Sequence, residues 1–450
     1  MGRKSHSKVL NLLMNGQLVG QLTKSLGVLA FKYEIEWLES DAAVPLSLSI
    51  PLSSTVYRGD TIYRFFDNLL PDNSNIRERM QARLKADSID AFDLLAEAGA
   101  DCIGAIQLVG SLPTPSVKHV HAKAISDGKI AEILKSYRQQ PLGMTPEEDE
   151  FRISLAGQQE KSAFLWHEKK WKRPYGTTPT SHIFKLPIGQ IEQAGIDLRD
   201  SVENEWLCLK IANAFGLRVP KVCIGVFEDT KVLIVERFDR RWSSDGTWLI
   251  RRPQEDLCQA LDYTPGQKYE SDGGPGIADI MNVLLQSTNS QEDRTQFMRS
   301  QVLFWLMAAP DGHAKNFSIH LGQGGRFQLA PFYDIISAYP MISNGDLQLQ
   351  RVKLAMAVLG KNKHYRWSTV LPRHWKSTAR KCGFPEDSMD KILQEFSEKS
   401  EDVIVTVRQQ LPNGFPKNLA DSILDSISIT QIHRRNSCGI GGRKAILCAR

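Results

Sequence analysis

Residues 311–334 constrain this chain more than any other stretch. Asp311-Gly312-His313-Ala314-Lys315-Asn316 follows an apolar helical segment that is cut at Pro310. Phe317 to Leu321 then reads as a strand, Gly322-Gln323-Gly324-Gly325 as a turn, and Phe327 to Tyr333 as a returning strand. A hairpin brings its two ends together, so the pattern predicts Asn316 and Asp334 side by side. Two oxygen donors at one hairpin base suit a hard cation such as Mg²⁺. The plainer alternative is that Asp311 and Asp334 only cap turns.

An Asn five positions after an Asp is also the spacing of a phosphotransferase catalytic loop. There the Asp accepts a hydroxyl proton and the Asn amide oxygen ligates Mg²⁺. Such spacing arises by chance in many chains, and the hairpin is what gives it weight. Phosphates would further need cations and backbone amides. Lys185 lies in the apolar strand Ile183-Phe184-Lys185-Leu186, where a lysine must find an anion or a solvated edge. Glu203 and Glu205 open the next helix and are candidate partners. Phe151-Arg152-Ile153-Ser154 leads into Leu155-Ala156-Gly157-Gln158-Gln159-Glu160-Lys161, a strand-to-loop passage with one glycine where a protein-kinase loop has three. Neither Gly-Lys pair is followed by Ser or Thr, and G-x-S-x-G and H-E-x-x-H are absent, which excludes a Walker A loop, a hydrolase elbow and a zinc protease.

The rest of the chain sets the frame. At 450 residues, two or three lobes are expected, and 42% apolar with 24% charged residues is globular composition. The longest continuous apolar run, Val302 to Ala309, is eight residues, too short to span a bilayer. Asn11, Asn15 and Gln17 interrupt the N-terminal apolar stretch, against a secretory signal, and His6 breaks the myristoylation pattern. Seven cysteines without a C-x-x-C pair argue against a disulfide framework or a zinc site. A soluble protein of the reducing cytoplasm is the expectation.

Asn15-Gly16 between Val9 to Met14 and Gln17 to Leu22 predicts a tight hairpin. Helical signals follow at 65–70 and 75–84, and residues 111–128 lack periodicity and read as linker. Strands return between 150 and 250 around an amphipathic helix from Asp200 to Phe215, and after about 252 the pattern is helical apart from the hairpin. The expected layout is an α/β subdomain over 1–112, a linker with a connecting helix over 113–145, an α/β lobe over 146–250, a mainly helical lobe over 251–432, and a disordered tail over 433–450. The fold class is α+β. The net charge is +5, yet seven Lys/Arg and no acid lie between Lys361 and Lys381, interleaved with Tyr365, Trp367 and Trp375. That stretch reads equally as a nucleic-acid contact or as a solvated face whose acidic partners lie elsewhere in sequence.

Together these stretches resemble the HipA family of bacterial serine/threonine kinase toxins. The likeness runs from Phe65 to Pro71 and through 151–161, Ile183, Lys185 to Pro187, Val235 to Arg240 and Lys268 to Gly276. It is most specific at Asp311 to Phe317 and Pro331 to Ser337. The resemblance implies a bilobal, protein-kinase-like fold and an ATP- and Mg²⁺-dependent kinase with Asp311 as catalytic base and Asn316 and Asp334 as metal ligands. Lys185 would touch the nucleotide phosphates, beneath a loop of Ala156, Gly157, Gln158, Gln159, Glu160 and Lys161. Glu236, Arg237 and Phe238 would hold adenine through backbone groups, and His313 and Tyr333 would line the cleft. Ser154 matches the serine that members autophosphorylate, which inactivates them. The implied partners are a helix-turn-helix, HipB-like antitoxin dimer and, through it, operator DNA, with Arg380 and Lys381 near the DNA-contacting positions. The expected protein substrate is an aminoacyl-tRNA synthetase, whose phosphorylation inhibits translation and growth and gives persistence. Pro310 departs from the family, which more often has Thr before the catalytic Asp. Two rival readings are a small-molecule phosphotransferase of the aminoglycoside-kinase type and a catalytically dead co-repressor.

Overall fold

Asn15 and Gly16 adopt φ values of 50° and 81°, and the hairpin they close pairs Lys8–Met14 with Gln17–Ser25. Asn and Gly tolerate these left-handed values, which match the twist of the flanking strands. This is a computed structural model describing residues 8–112, 116–139, 159, 161–191 and 195–427. The hairpin sits in a five-stranded sheet ordered Tyr57–Arg58, Val28–Tyr33, Gln17–Ser25, Lys8–Met14, Ile106–Val109. Helix Asp60–Asp67 packs against it and buries Ile62, Phe65 and Phe66.

A second sheet has six antiparallel strands, ordered Val222–Phe227, Thr230–Glu236, His182–Lys185, Lys161–His167, Lys170–Pro174, Ala122–Ala124. Side chains alternate along a strand, and this decides both faces. Phe184, Val232 and Ile234 turn to helix Asp127–Gln139 and close a small core with Ile130, Ala131 and Leu134. Ile183, Leu233 and Val235 turn the other way, into the main core with helix Ser201–Ala214. Lys185 is two residues beyond Ile183, so the same alternation sends it to that helix. The edge strand Ala122–Ala124 lies in the stretch read as linker, where three residues paired only to Lys170–Pro174 leave no periodic signal.

The long helix Ser290–Leu306 forms a buried axis of the C-terminal lobe through Phe297, Met298, Val302, Leu303 and Trp305. It ends before Pro310. Ala308 sits at φ 47° and Ala309 N–H donates to Phe304 C=O at 2.8 Å, so the chain reverses two residues ahead of the proline. Ser318–Leu321 pairs with Phe327–Leu329 as expected, and with Gln254–Asp256 on its other side. The returning strand stops short of Tyr333. Ala330 N–H still donates to Ser318 C=O at 2.8 Å, but Pro331 has no N–H to extend the ladder.

The helical half carries a second ribbon that the sequence pattern did not disclose, Lys353–Leu359 against Lys363–Arg366. Leu354 to Val358 are all buried, and a continuous apolar run cannot be told from a buried helix by periodicity. Among the described residues no helix is long and apolar enough to cross a membrane.

Candidate active site

The 311–316 loop is a closed hydrogen-bonded turn. Asp311 C=O accepts from His313 N–H at 2.9 Å and from Asn316 Nδ2 at 2.7 Å. One amide N–H is used in this way, and Asn316 Oδ1 has no donor among the described residues. Across the hairpin base, Tyr333 O–H donates to Lys315 C=O at 3.0 Å and lies 2.6 Å from Ser318 Oγ. The residue before Asp334 is thereby tied to the residue before Asn316 at the hairpin base. Asp334 itself stands at φ 59°, a left-handed value that is strained for a residue with a side chain.

Lys185 Nζ reaches Glu205 Oε1 at 2.6 Å and Asp334 Oδ1 at 2.9 Å. Of the two candidate glutamates it is therefore Glu205, while Glu203 pairs with Lys231. Burial opposes the charge on Lys185, but Asp334 and Glu205 outweigh it and raise its pKa. Burial likewise opposes ionisation of Asp334, and Lys185 and Lys161 hold its carboxyl down to about 2. Lys161 lies directly opposite Lys185 in the sheet register, so both cations share one face, and burial and Lys185 push Lys161 down to about 8. The second oxygen of Asp334 has no donor among the described residues. Two lysines and an ionised carboxylate thus converge where polyanion and cation chemistry can be served together.

Asp311 keeps its carboxylate about half exposed, 47% for the side chain. Tyr269 O–H donates to its Oδ1, and His313 Nε2 lies 3.6 Å from the same atom. Burial lowers the His313 pKa, so a neutral imidazole packs edge-on to the Tyr269 ring at 4.9 Å. The loop is clasped from below. Lys315 Nζ meets Asn68 Oδ1 at 2.9 Å and Asp72 Oδ1 at 3.1 Å, and Lys268 Nζ meets Asp72 Oδ2 at 2.8 Å. Lys268 C=O also accepts from Ala314 N–H at 3.1 Å. The contacts of Tyr269, Asp72 and Asn68 carry no local sequence signal, because they join positions 42 to 247 residues apart.

At the far end, the Phe238 ring lies 5.6 Å from Tyr333 and 5.7 Å from His320. Phe238 N–H has no acceptor among the described residues, whereas Glu236 N–H and Arg237 N–H donate to Lys221 and Ser181 C=O, both at 2.9 Å. The Arg237 side chain is fully buried in a cluster with Asp101, Asp239 and Thr180. Ser154, Ala156, Gly157, Gln158 and Glu160 lie outside the described residues, as does the 433–450 tail. Gln159 is described, and its side-chain amide donates to Leu186 C=O. In the basic stretch, Arg380 is held by both oxygens of Glu386 at 2.8 and 2.9 Å, and Lys381 donates to Gly360 C=O at 2.6 Å. Lys363 and Lys376 pair with Glu270 and Asp390, so acidic partners do come from elsewhere in sequence.

Fold and site define a class: a mixed α/β, protein-kinase-like molecule with a lysine–glutamate pair on the sheet side and paired oxygen donors on a hairpin. Residues 153–404 match the HipA-like C-terminal domain and residues 10–109 the HipA N-terminal domain. The chain belongs to the HipA family. It is 32% identical to the Y4mE protein of Sinorhizobium fredii, over 84% of this chain and 86% of that one. It is 28% identical to the serine/threonine-protein kinase toxin HipA of Shewanella oneidensis, over 74% of this chain and 76% of that one. The HipA, HipB and operator DNA complex from Shewanella oneidensis MR-1 contains a chain of the same fold, with a TM-score of 0.78 at 21% identity over 95% of this chain and 97% of that chain.

Proposed function

We propose that this HipA-family chain is an ATP- and Mg²⁺-dependent serine/threonine protein kinase and the toxin of a toxin–antitoxin pair. The observation that carries the reading is the bridging of Lys185 to both Glu205 and Asp334, in a molecule whose 311–316 loop leaves Asn316 Oδ1 open among the described residues. That donor set fits Mg²⁺, which prefers oxygen ligands and keeps several waters. Asn316 and Asp334 would hold the ion, and when bound it neutralises charge on the transferring phosphoryl group. Lys185 and Lys161 bind phosphate oxygens, and the free Phe238 N–H is the backbone donor available to adenine. Tyr269 occupies Oδ1 of Asp311 and leaves Oδ2 for the acceptor hydroxyl. The hydroxyl oxygen bonds the γ-phosphorus, the bond to the ADP oxygen breaks, and the proton passes to Asp311.

The same reading makes Ser154 a site of self-inactivation. A phosphoserine there adds roughly −1.5 to −2 charges two residues before Ala156 in sequence and competes for the groups that receive ATP phosphates. It also gives the chain a HipB-like, helix-turn-helix antitoxin, co-repression on operator DNA, a cytoplasmic setting and growth arrest through an aminoacyl-tRNA synthetase. The related Shewanella structure, a complex of HipA with HipB and operator DNA, supports the partner class. Intact mass before and after Mg²⁺-ATP tests the core of this. Wild type gains one phosphate on Ser154, while Asp311→Gln and Ser154→Ala gain none. Phosphate elsewhere, or on Asp311→Gln, would overturn the assignment.

A further inference from the structure

Beside Asp311 opens a cleft of about 750 Å³, whose far side the reading above leaves without a role. One wall is formed by Tyr269, Asp272 and Asp311, and the other by the 353–366 ribbon, which contributes Lys353 and Arg366. These two cations are exposed and directly opposite each other in the ribbon register. Like charges facing across paired strands destabilise the pair unless an anion answers them. Lys161 and Lys185 form the same kind of pair, and there Glu205 and Asp334 supply the answer. In the ribbon, neighbouring Lys363 has Glu270 at 2.7 Å, but neither Lys353 nor Arg366 has an acidic partner among the described residues.

We propose that this cleft is the acceptor groove, and that Lys353 and Arg366 select a polypeptide segment with an acidic side chain close to its phosphoacceptor Ser or Thr. The inference rests on the kinase reading and adds a substrate class to it. The cleft is bipolar: the acceptor hydroxyl faces the Asp311 wall and the carboxylate faces the ribbon. A polyphosphate such as RNA would bring further charges against Asp272 and Asp311, whereas a peptide places one carboxylate on the basic wall alone.

The test is a degenerate Ser/Thr peptide library phosphorylated by the full-length chain with Mg²⁺-ATP, wild type against the Lys353→Glu/Arg366→Glu double variant. Wild type should enrich Asp and Glu near the acceptor. The double variant should lose kcat/KM on the best acidic peptide on the order of ten-fold, through KM rather than kcat, and should enrich Lys and Arg instead. A gain on basic peptides cannot come from misfolding. The same preference in both proteins, no acidic preference in wild type, or nucleotide binding with no peptide phosphorylated would each overturn the proposal. Mg²⁺-ATP calorimetry and self-phosphorylation on the same preparations read the kinase assignment separately. If both are absent, the kinase reading falls and this one with it. If both are present without an acidic preference, only the groove assignment falls.

Discussion

Asp334 spends one carboxylate oxygen on Lys185 and keeps the other open, in a left-handed backbone conformation that only its surroundings enforce. Asp334→Ala should therefore cut phosphoryl transfer on the order of 100-fold or more. It should also weaken Mg²⁺-ATP binding by at least about ten-fold, read by calorimetry. Unchanged Mg²⁺-ATP affinity would remove it from the metal site. A second residue titrates in an accessible range. Burial pushes Glu255 up to about 8, even though Ser47 Oγ and Leu48 N–H both donate to it. The folded state then binds this proton more tightly than the unfolded chain, whose Glu titrates near ~4.3, so stability falls as pH rises across that window to about 8. Glu255→Gln carries no titrating proton there. Its melting temperature should drop less than wild type between pH 5.5 and 8.5, and parallel drops would refute the assignment.

The elements around the loop are held from outside the C-terminal lobe. Asn68 and Asp72 follow helix Asp60–Asp67 in the N-terminal part, yet their oxygens anchor Lys315 inside the loop and Lys268 beneath it. Asn316 is the next residue after Lys315, so a shift of that anchor moves the open Oδ1. Displacements near 1 Å can cost catalysis roughly 100-fold. Asp72→Asn should lower kcat by about 10- to 100-fold while the KM for a neutral peptide moves little. A folded Asp72→Asn protein with wild-type kcat would make the clasp merely structural. The ribbon of 353–366 belongs to this scale as well, because its like-charge pair exists only when the two strands come together, past an irregularity between Lys353 and Val358.

At the scale of the whole molecule, a buried ionic knot sews the N-terminal sheet region to the kinase-like lobe. Asp101 meets Arg240 at 2.8 Å and Arg237 and Arg251 at 3.3 Å, and Asp239 answers Arg237 and Arg240 at 2.8 and 2.9 Å. Removing one partner of a buried network leaves the others uncompensated, so Asp101→Ala should cost roughly 3–5 kcal/mol in urea unfolding. A loss under about 1 kcal/mol, the range of exposed pairs, would show that the knot does not stabilise the fold. Much of the molecule was legible one residue at a time. Asn15-Gly16 dictated its hairpin through permitted φ angles, a lysine in an apolar strand announced its need for an anion, and the turn and strand signals after Asp311 marked the second hairpin. These signals are local, acting over a few residues or one hairpin. Sequence left Glu203 and Glu205 equal, although two positions on a helix point to nearly opposite sides, and packing sent one to Lys231 and the other to Lys185. It spoke for neither reading of the 361–381 cations, because Glu386 and Asp390 become their partners only when two helices pack. Tyr269 on Asp311, Asp72 beneath the loop and the Asp101 knot likewise join residues far apart in the chain. Propensity and periodicity report what a residue's near neighbours allow, and only the folded core decides which distant charges come to face each other.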